Sequence, residues 1–161
     1  MLGQKVLLNQ MPIAIKGSKI DISSEETTKE LAKDLTHYLK GGEIVYLYGE
    51  MGVGKTTFVR HLINQFQKNK KLHITEVTSP TFNLLNEYDI NDLVIKHYDL
   101  FRLKDESEIT NLDLFENNQN TITLIEWPQL ISKNKSIKTI DLIFSYENEL
   151  NNRSVKIDGL N

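Results

Sequence analysis

Apolar positions along the chain fall into two periods. Leu31, Leu35, Tyr38 and Leu39 recur at helical spacing, with Thr28 one turn earlier on the same stripe. Ser23-Ser24-Glu25-Glu26 precedes them as a capping box, and Gly41-Gly42 supplies the stop. Phe58, Val59, Leu62, Ile63 and Phe66 give a second amphipathic helix. Between the two, Ile44-Val45-Tyr46-Leu47-Tyr48 is a continuous apolar run, the pattern of a strand buried on both faces. Ile13–Ile22 reads as an edge strand, and Phe82–Asp89 and Leu93–Asp99 as two strands joined by a turn at Asn91-Asp92. Asp105–Phe115 reads as a helix, Thr121–Glu126 as an apolar strand, and Lys138–Tyr146 and Arg153–Asp158 as the last strands. Two strand-to-strand joins are too short for a crossover helix. The expected fold is therefore α/β, one domain over 1–161 with a mixed, mostly parallel central sheet flanked by helices. Residues 1–20 are an extension or edge strand, and the core is about 21–158.

The segment between the buried strand and the second helix carries the chemistry. Gly49-Glu50-Met51-Gly52-Val53-Gly54-Lys55-Thr56 matches G-x-x-x-x-G-K-[ST]. Glycines let successive backbone N–H groups curl around phosphate oxygens, where a Cβ would obstruct them. Lys55 brings a point charge to the outer phosphates, and the Thr56 hydroxyl is suited to Mg²⁺. Met51, Gly52, Val53, Gly54, Lys55, Thr56 and Thr57 are thus the expected nucleotide-binding stretch of a P-loop domain. A random chain of this length would match roughly once in two hundred tries. The strand before the loop and the helix after it are the context the motif requires.

Mg²⁺ takes one or two carboxylates together with phosphate oxygens and water. Those carboxylates should stand at the C-terminal ends of strands, the edge where open α/β sheets bind ligands. Asp99 ends the Val94–Tyr98 stretch and Glu126 ends Ile122–Ile125. Spacing leaves open which ligates metal and which orients water. Trp127, the only tryptophan, follows Glu126, which makes it either a core side chain or a contact near the nucleotide. Thr78-Ser79-Pro80-Thr81 is a loop, either an ordinary surface one or a switch that senses the terminal phosphate.

Composition removes several other chemistries. The chain lacks cysteine, which excludes disulfides and zinc–thiolate sites. His37, His61, His73 and His97 lie far apart and form no metal-ligand pair at helical spacing. Nineteen basic residues face twenty-two acidic ones, so there is no basic footprint for holding a nucleic acid backbone alone. Lys68-Asn69-Lys70-Lys71 reads as the solvated end of the second helix. No apolar run nears the roughly 18 residues of a membrane span, and 1–19 lacks a signal-peptide pattern, so a cytoplasmic location is expected.

Four segments together resemble one family. They are Tyr48–Phe58, Ser79-Pro80-Thr81-Phe82, His97-Tyr98-Asp99-Leu100-Phe101-Arg102-Leu103 and Leu124-Ile125-Glu126-Trp127-Pro128. In this order and spacing they are similar to the bacterial TsaE family (also called YjeE), the ATPases of tRNA threonylcarbamoyladenosine biosynthesis. The likeness runs from about Ser23 to the last strand, and the Ser-Pro-Thr-Phe, Asp-Leu-Phe-Arg and Glu-Trp-Pro segments set it apart from other P-loop proteins.

The resemblance implies an ATP-hydrolysing subunit needed to make N6-threonylcarbamoyladenosine. It would act with a TsaB–TsaD transferase core, reach tRNA only through that complex, and use no membrane. Carried onto this chain, Lys55 grips phosphate, Thr56 and Glu126 hold Mg²⁺, Asp99 supports hydrolysis and Trp127 lies near the nucleotide. Glu25 and Thr28 approach the adenine, and Arg153 touches the nucleotide. Asp113 stands where relatives carry glycine, and the stretch before Asp21 is longer than theirs.

The loop alone also admits a small-molecule or nucleotide kinase, or a subunit that binds nucleotide only to order a docking surface. Kinases of that kind clamp phosphoryl groups with arginines on a lid, and this chain has only Arg60, Arg102 and Arg153. No Asn-Lys-x-Asp segment supports a GTPase.

Overall fold

The computed structural model describes residues 19–116, 119–132, 137–148 and 151–160. Seven strands form one sheet: β1 (Lys19–Asp21), β2 (Ile44–Tyr48), β3 (Leu85–Ile90), β4 (Leu93–Asp99), β5 (Thr121–Glu126), β6 (Thr139–Tyr146) and β7 (Arg153–Asp158), in the order β1-β7-β6-β2-β5-β4-β3. The central strands β6, β2, β5 and β4 are parallel to one another. Hairpin partners β3 and β7 run against them, and β1 pairs antiparallel with β7. The sheet is thus mixed and mostly parallel, as the short joins require.

Alternation along the strands sorts the core into two faces. Val45 and Leu47 of β2, Ile122 and Leu124 of β5, and Leu142 and Phe144 of β6 pack beneath helices α1 (Glu25–Leu35) and α2 (Lys55–Asn69). From α2, Phe58, Val59, Leu62, Ile63 and Phe66 enter this layer, matching the stripe read from the sequence. Leu62 is fully buried there, where truncation to alanine costs about 2–5 kcal/mol. The opposite face, with Ile44, Tyr46, Tyr98 and Ile125, is covered by irregular chain bearing Leu100, Leu103, Leu112, Leu114 and Trp127. No described helix is long and apolar enough to cross a membrane.

Several boundaries differ from expectation. Residues 13–18 of the expected Ile13–Ile22 strand lie outside the described residues, and β1 covers only Lys19–Asp21. The capping box does not form from Ser23 to Glu26. Asp21 Oδ1 accepts from Ser23 N–H at 2.8 Å, and the helix starts one residue later on Ser24, whose Oγ accepts from Thr27 N–H. Helix α1 ends at Leu35 rather than at Gly41-Gly42, because the Thr36 hydroxyl takes the Lys33 carbonyl and Tyr38 N–H bonds Leu35 in a tighter turn. Strand β3 begins at Leu85 rather than Phe82, since the chain turns at Leu84 with φ +61°.

The Asp105–Phe115 helix is reduced to one turn, α3 (Glu106–Ile109), followed by a 3₁₀ turn at Thr110–Leu112. Asp113 then takes the left-handed conformation, φ +51°, and ends it. At the β3–β4 hairpin Asn91 is left-handed at φ +58°, which is why an Asn-Asp pair suits that turn. Lys68 occupies the last turn of α2 with Lys70 and Lys71 beyond it, all exposed.

Candidate functional site

Strand β2 ends at Tyr48, and the loop Gly49–Gly54 turns the chain into α2. Gly49 has φ +147°, and a Cβ there would lie 2.9 Å from the Phe144 backbone oxygen and from Val53 Cγ1. Gly54 is the N-cap of α2 in left-handed geometry, φ +117°, and no side chain caps that end. The first amides of α2 are therefore left for another acceptor. Gly52, Gly54 and the residues that follow line a cleft of about 270 Å³ with Met51, Lys55, Thr56, Thr57, Ser79, Asp99, Phe101, Glu126, Trp127 and Arg153.

The sheet register brings the carboxylates here. In the parallel β4–β5 pair, Asp99 lies opposite Glu126, and in β2–β5 Leu47 lies opposite Glu126. Both acids follow the period-2 face that packs beneath α2. Glu126 is 2% exposed, and its Oε1 and Oε2 accept from the Thr56 hydroxyl at 3.0 and 3.2 Å. Thr56 Oγ1 is also 3.0 Å from Ser79 Oγ, so the Thr78–Thr81 loop reaches the site.

Lys55 is 4% exposed, donates to the Gly49 carbonyl and stands over the Trp127 ring, 3.6 Å from its centroid. Burial lowers the Lys55 ammonium below its ordinary value, opposed by the charges of Glu126 and Asp99. Among the described residues no carboxylate hydrogen-bonds the ammonium, and a phosphate would provide such an anionic partner. Burial pushes the Asp99 carboxyl up. The Phe101 amide, 3.0 Å from Oδ1, pulls it back, and the neighbouring Glu126 charge adds to the rise.

Trp127 has φ +58°, an uncommon conformation for a bulky residue and costly enough to need support from its surroundings. It places the indole between Lys55 and Phe101, whose ring centroid is 4.9 Å away. Arg153 joins the cleft to the start of α1: its N–H donates to Ser23 Oγ at 3.0 Å and its Nη2 to the Ser23 carbonyl at 3.4 Å.

Met51, Gly52, Gly54, Lys55, Thr56, Thr57, Asp99, Glu126, Trp127 and Arg153 therefore meet in one cleft. Val53 is buried beneath the loop. Glu25 and Thr28 do not line the cleft. Glu25 Oε1 lies 2.9 Å from Arg60 Nη2 and 3.0 Å from His61 Nε2, and Thr28 is buried with its hydroxyl on the Ser24 carbonyl. Two further groups belong to the site, which the sequence placed in quoted segments without giving either side chain a role of its own: Ser79, on Thr56, and His97, whose Nε2 is 2.6 Å from Glu126 Oε2. Period 2 would have found His97, since it shares a strand face with Asp99.

The oxygens of Thr56 and Glu126 are hard donors of the kind Mg²⁺ takes. Among the described residues no cluster of three or more His, Cys, Asp or Glu could hold a metal. An ion here would depend on phosphate and water for its remaining ligands, as Mg²⁺ does in nucleotide sites.

Comparison with known proteins agrees with this geometry. The family model described as threonylcarbamoyl adenosine biosynthesis protein TsaE matches residues 22–155. The tRNA threonylcarbamoyladenosine biosynthesis protein TsaE of Rickettsia conorii is 44% identical over 110 residues, 68% of this chain and 61% of that protein. The match to the Rickettsia felis protein spans 62% of its length, so the chain spans under two thirds of these relatives. The protein of the same name from Nostoc sp. is 33% identical over 137 residues, 82% of this chain and 80% of that one. The crystal structure of YdiB from Bacillus subtilis has the same fold, with a TM-score of 0.63 at 22% identity over 89% of this chain and 86% of that one. The family match covers the phosphate loop, both acidic strand ends and the first half of β7: this chain belongs to the TsaE family.

Proposed function

We propose that the chain binds ATP with Mg²⁺ and hydrolyses it, as a subunit required for making N6-threonylcarbamoyladenosine in tRNA. The observation that carries this reading is the contact of Thr56 with Glu126, made beside Lys55 and Asp99 at the open end of α2. The loop amides and Lys55 receive the phosphates, and the free end of α2 adds its positive dipole. Thr56 and Glu126 would hold Mg²⁺, which when bound offsets charge on the outer phosphates. Asp99 accepts a hydrogen bond from the attacking water and aims its oxygen at the γ-phosphorus. Its partial desolvation makes that carboxylate the better base. Trp127 and Arg153 flank the nucleotide.

The family name supports the tRNA modification, and the TsaB–TsaD transferase pair is the partner through which tRNA would be reached. The acidic net charge favours that indirect route over direct tRNA binding. A cytoplasmic location goes with it. A kinase is disfavoured because two of the three arginines face elsewhere: Arg60 pairs with Glu25, and Arg102 lies over Phe82. The test adds this protein and ATP to the purified transferase pair and counts modified tRNA per transferase. Several turnovers that require both additions support the reading. Equal turnover without the protein, or with Lys55→Ala in its place, refutes it.

A further inference from the structure

His97 is fully buried, and its Nε2 lies 2.6 Å from Glu126 Oε2. Its other ring nitrogen, Nδ1, is buried without a hydrogen-bond partner among the described residues. These two facts decide the proton's place. A proton on Nδ1 would strand an N–H donor away from water, which costs roughly 1–3 kcal/mol. It would also set two lone pairs against each other across the 2.6 Å contact. A proton on Nε2 satisfies the carboxylate and, with Nδ1 bare, leaves only one lone pair unpaired.

We propose that His97 is a positioning residue: with its proton on Nε2 it fixes the Glu126 carboxylate toward Thr56. The inference rests on the reading of Glu126 as a Mg²⁺ ligand in the nucleotide site. Glu126 already faces Thr56 through both oxygens, and His97 holds it from the strand side. Hydrogen bonds of this kind orient a ligand oxygen, and losing one lowers metal affinity or activity by about 10–100-fold.

The test has two arms. In the nucleotide-free protein, ¹⁵N shifts of the His97 ring report the tautomer directly. A proton on Nε2 is expected, and a ring protonated on Nδ1 with Nε2 bare overturns the proposal. In the second arm, His97→Leu and His97→Gln are compared for the Mg²⁺ concentration giving half-maximal ATP hydrolysis, with melting curves taken alongside. His97→Leu should raise that concentration and lower kcat by about 10-fold or more, with KM for ATP at saturating Mg²⁺ within about 3-fold. His97→Gln, which keeps a donor at similar reach, should recover most of the loss. Equal defects in both variants at matched stability, or a wild-type Mg²⁺ response in His97→Leu, overturn the proposal. The first arm stands without nucleotide, so a wild-type chain that failed to bind ATP would refute the nucleotide reading while an Nε2–H ring still upheld the His97–Glu126 relationship.

Discussion

Thr56 Oγ1 lies 3.0 Å from Glu126 Oε1 and 3.2 Å from Oε2, although 70 residues separate the two in sequence. The first belongs to the opening turn of α2 and the second to the end of β5. Parallel pairing of β2 with β5 and the packing of α2 over that face bring them together. The pair ties the phosphate loop to the acidic edge of the sheet, and the remaining expectations follow from it.

Glu126→Gln should keep the fold and lose hydrolysis. The amide retains an oxygen for Thr56 or His97, so the buried position stays partnered, but the negative charge is gone. Mg²⁺-dependent phosphate release should fall by about 100-fold or more. Steady-state release assays with thermal melting check this, and unchanged turnover would remove Glu126 from its assigned role.

Lys55→Ala should weaken ATP binding by about 30-fold or more, roughly 2 kcal/mol, because a buried ammonium facing phosphate has no substitute in the loop. Calorimetric titration measures it. Wild-type affinity in this variant would contradict the cradle.

Asp99 sets function against stability. Burial raises its pKa above the model-compound value of 3.8, so between 3.8 and the raised value the folded state binds more protons than the unfolded chain. Stability should therefore fall as pH rises through that window, and the cost is fully present above it. Asp99→Asn should melt higher than wild type at pH 7, converge with it in acid, and hydrolyse ATP much more slowly. Melting curves across pH test the sign. A lower melting point at pH 7 would show that the charge is stabilised in the fold.

Trp127 is the only tryptophan, and Lys55 Nζ sits 3.6 Å from its ring centroid. ATP that draws the ammonium toward phosphate should change Trp127 fluorescence saturably. The Lys55→Ala variant should start from a different baseline and show little change at the same nucleotide concentration. A flat titration in the wild type at concentrations where calorimetry shows binding would mean that the ring and the ammonium do not separate.

Asp113 occupies a left-handed turn at φ +51°, a conformation glycine adopts freely. Asp113→Gly should leave stability unchanged or raise it by about 0.5 kcal/mol, while Asp113→Val should lower it by about 1–2 kcal/mol. Chemical denaturation gives both values. The glycine that the family resemblance implies at this position thus has a backbone reason.

The phosphate loop was legible because its chemistry is local: glycines, lysine and threonine lie within eight consecutive residues between an apolar run and an amphipathic stripe. Asp99 and Glu126 were legible for a related reason, since each is an acid that ends an apolar run. The contacts Thr56–Ser79 and His97–Glu126 were not, because they depend on register and on how a loop returns over the sheet. Glu25 and Thr28 came only from the family resemblance, and here Glu25 turns to Arg60 while Thr28 is buried. Asp105–Phe115, which includes apolar Ile109, Leu112 and Phe115, reads in the sequence as one helix. Tertiary packing places them against the second face of the sheet from a one-turn helix and a bend instead.

The most direct measurement is a crystal structure of the chain with Mg²⁺ and a non-hydrolysable ATP analogue. The account predicts the triphosphate across the Gly49–Thr56 loop, with Lys55 on the outer phosphates and the ion held by Thr56 and Glu126. An analogue bound elsewhere, or a loop left empty at saturating ligand, would contradict it.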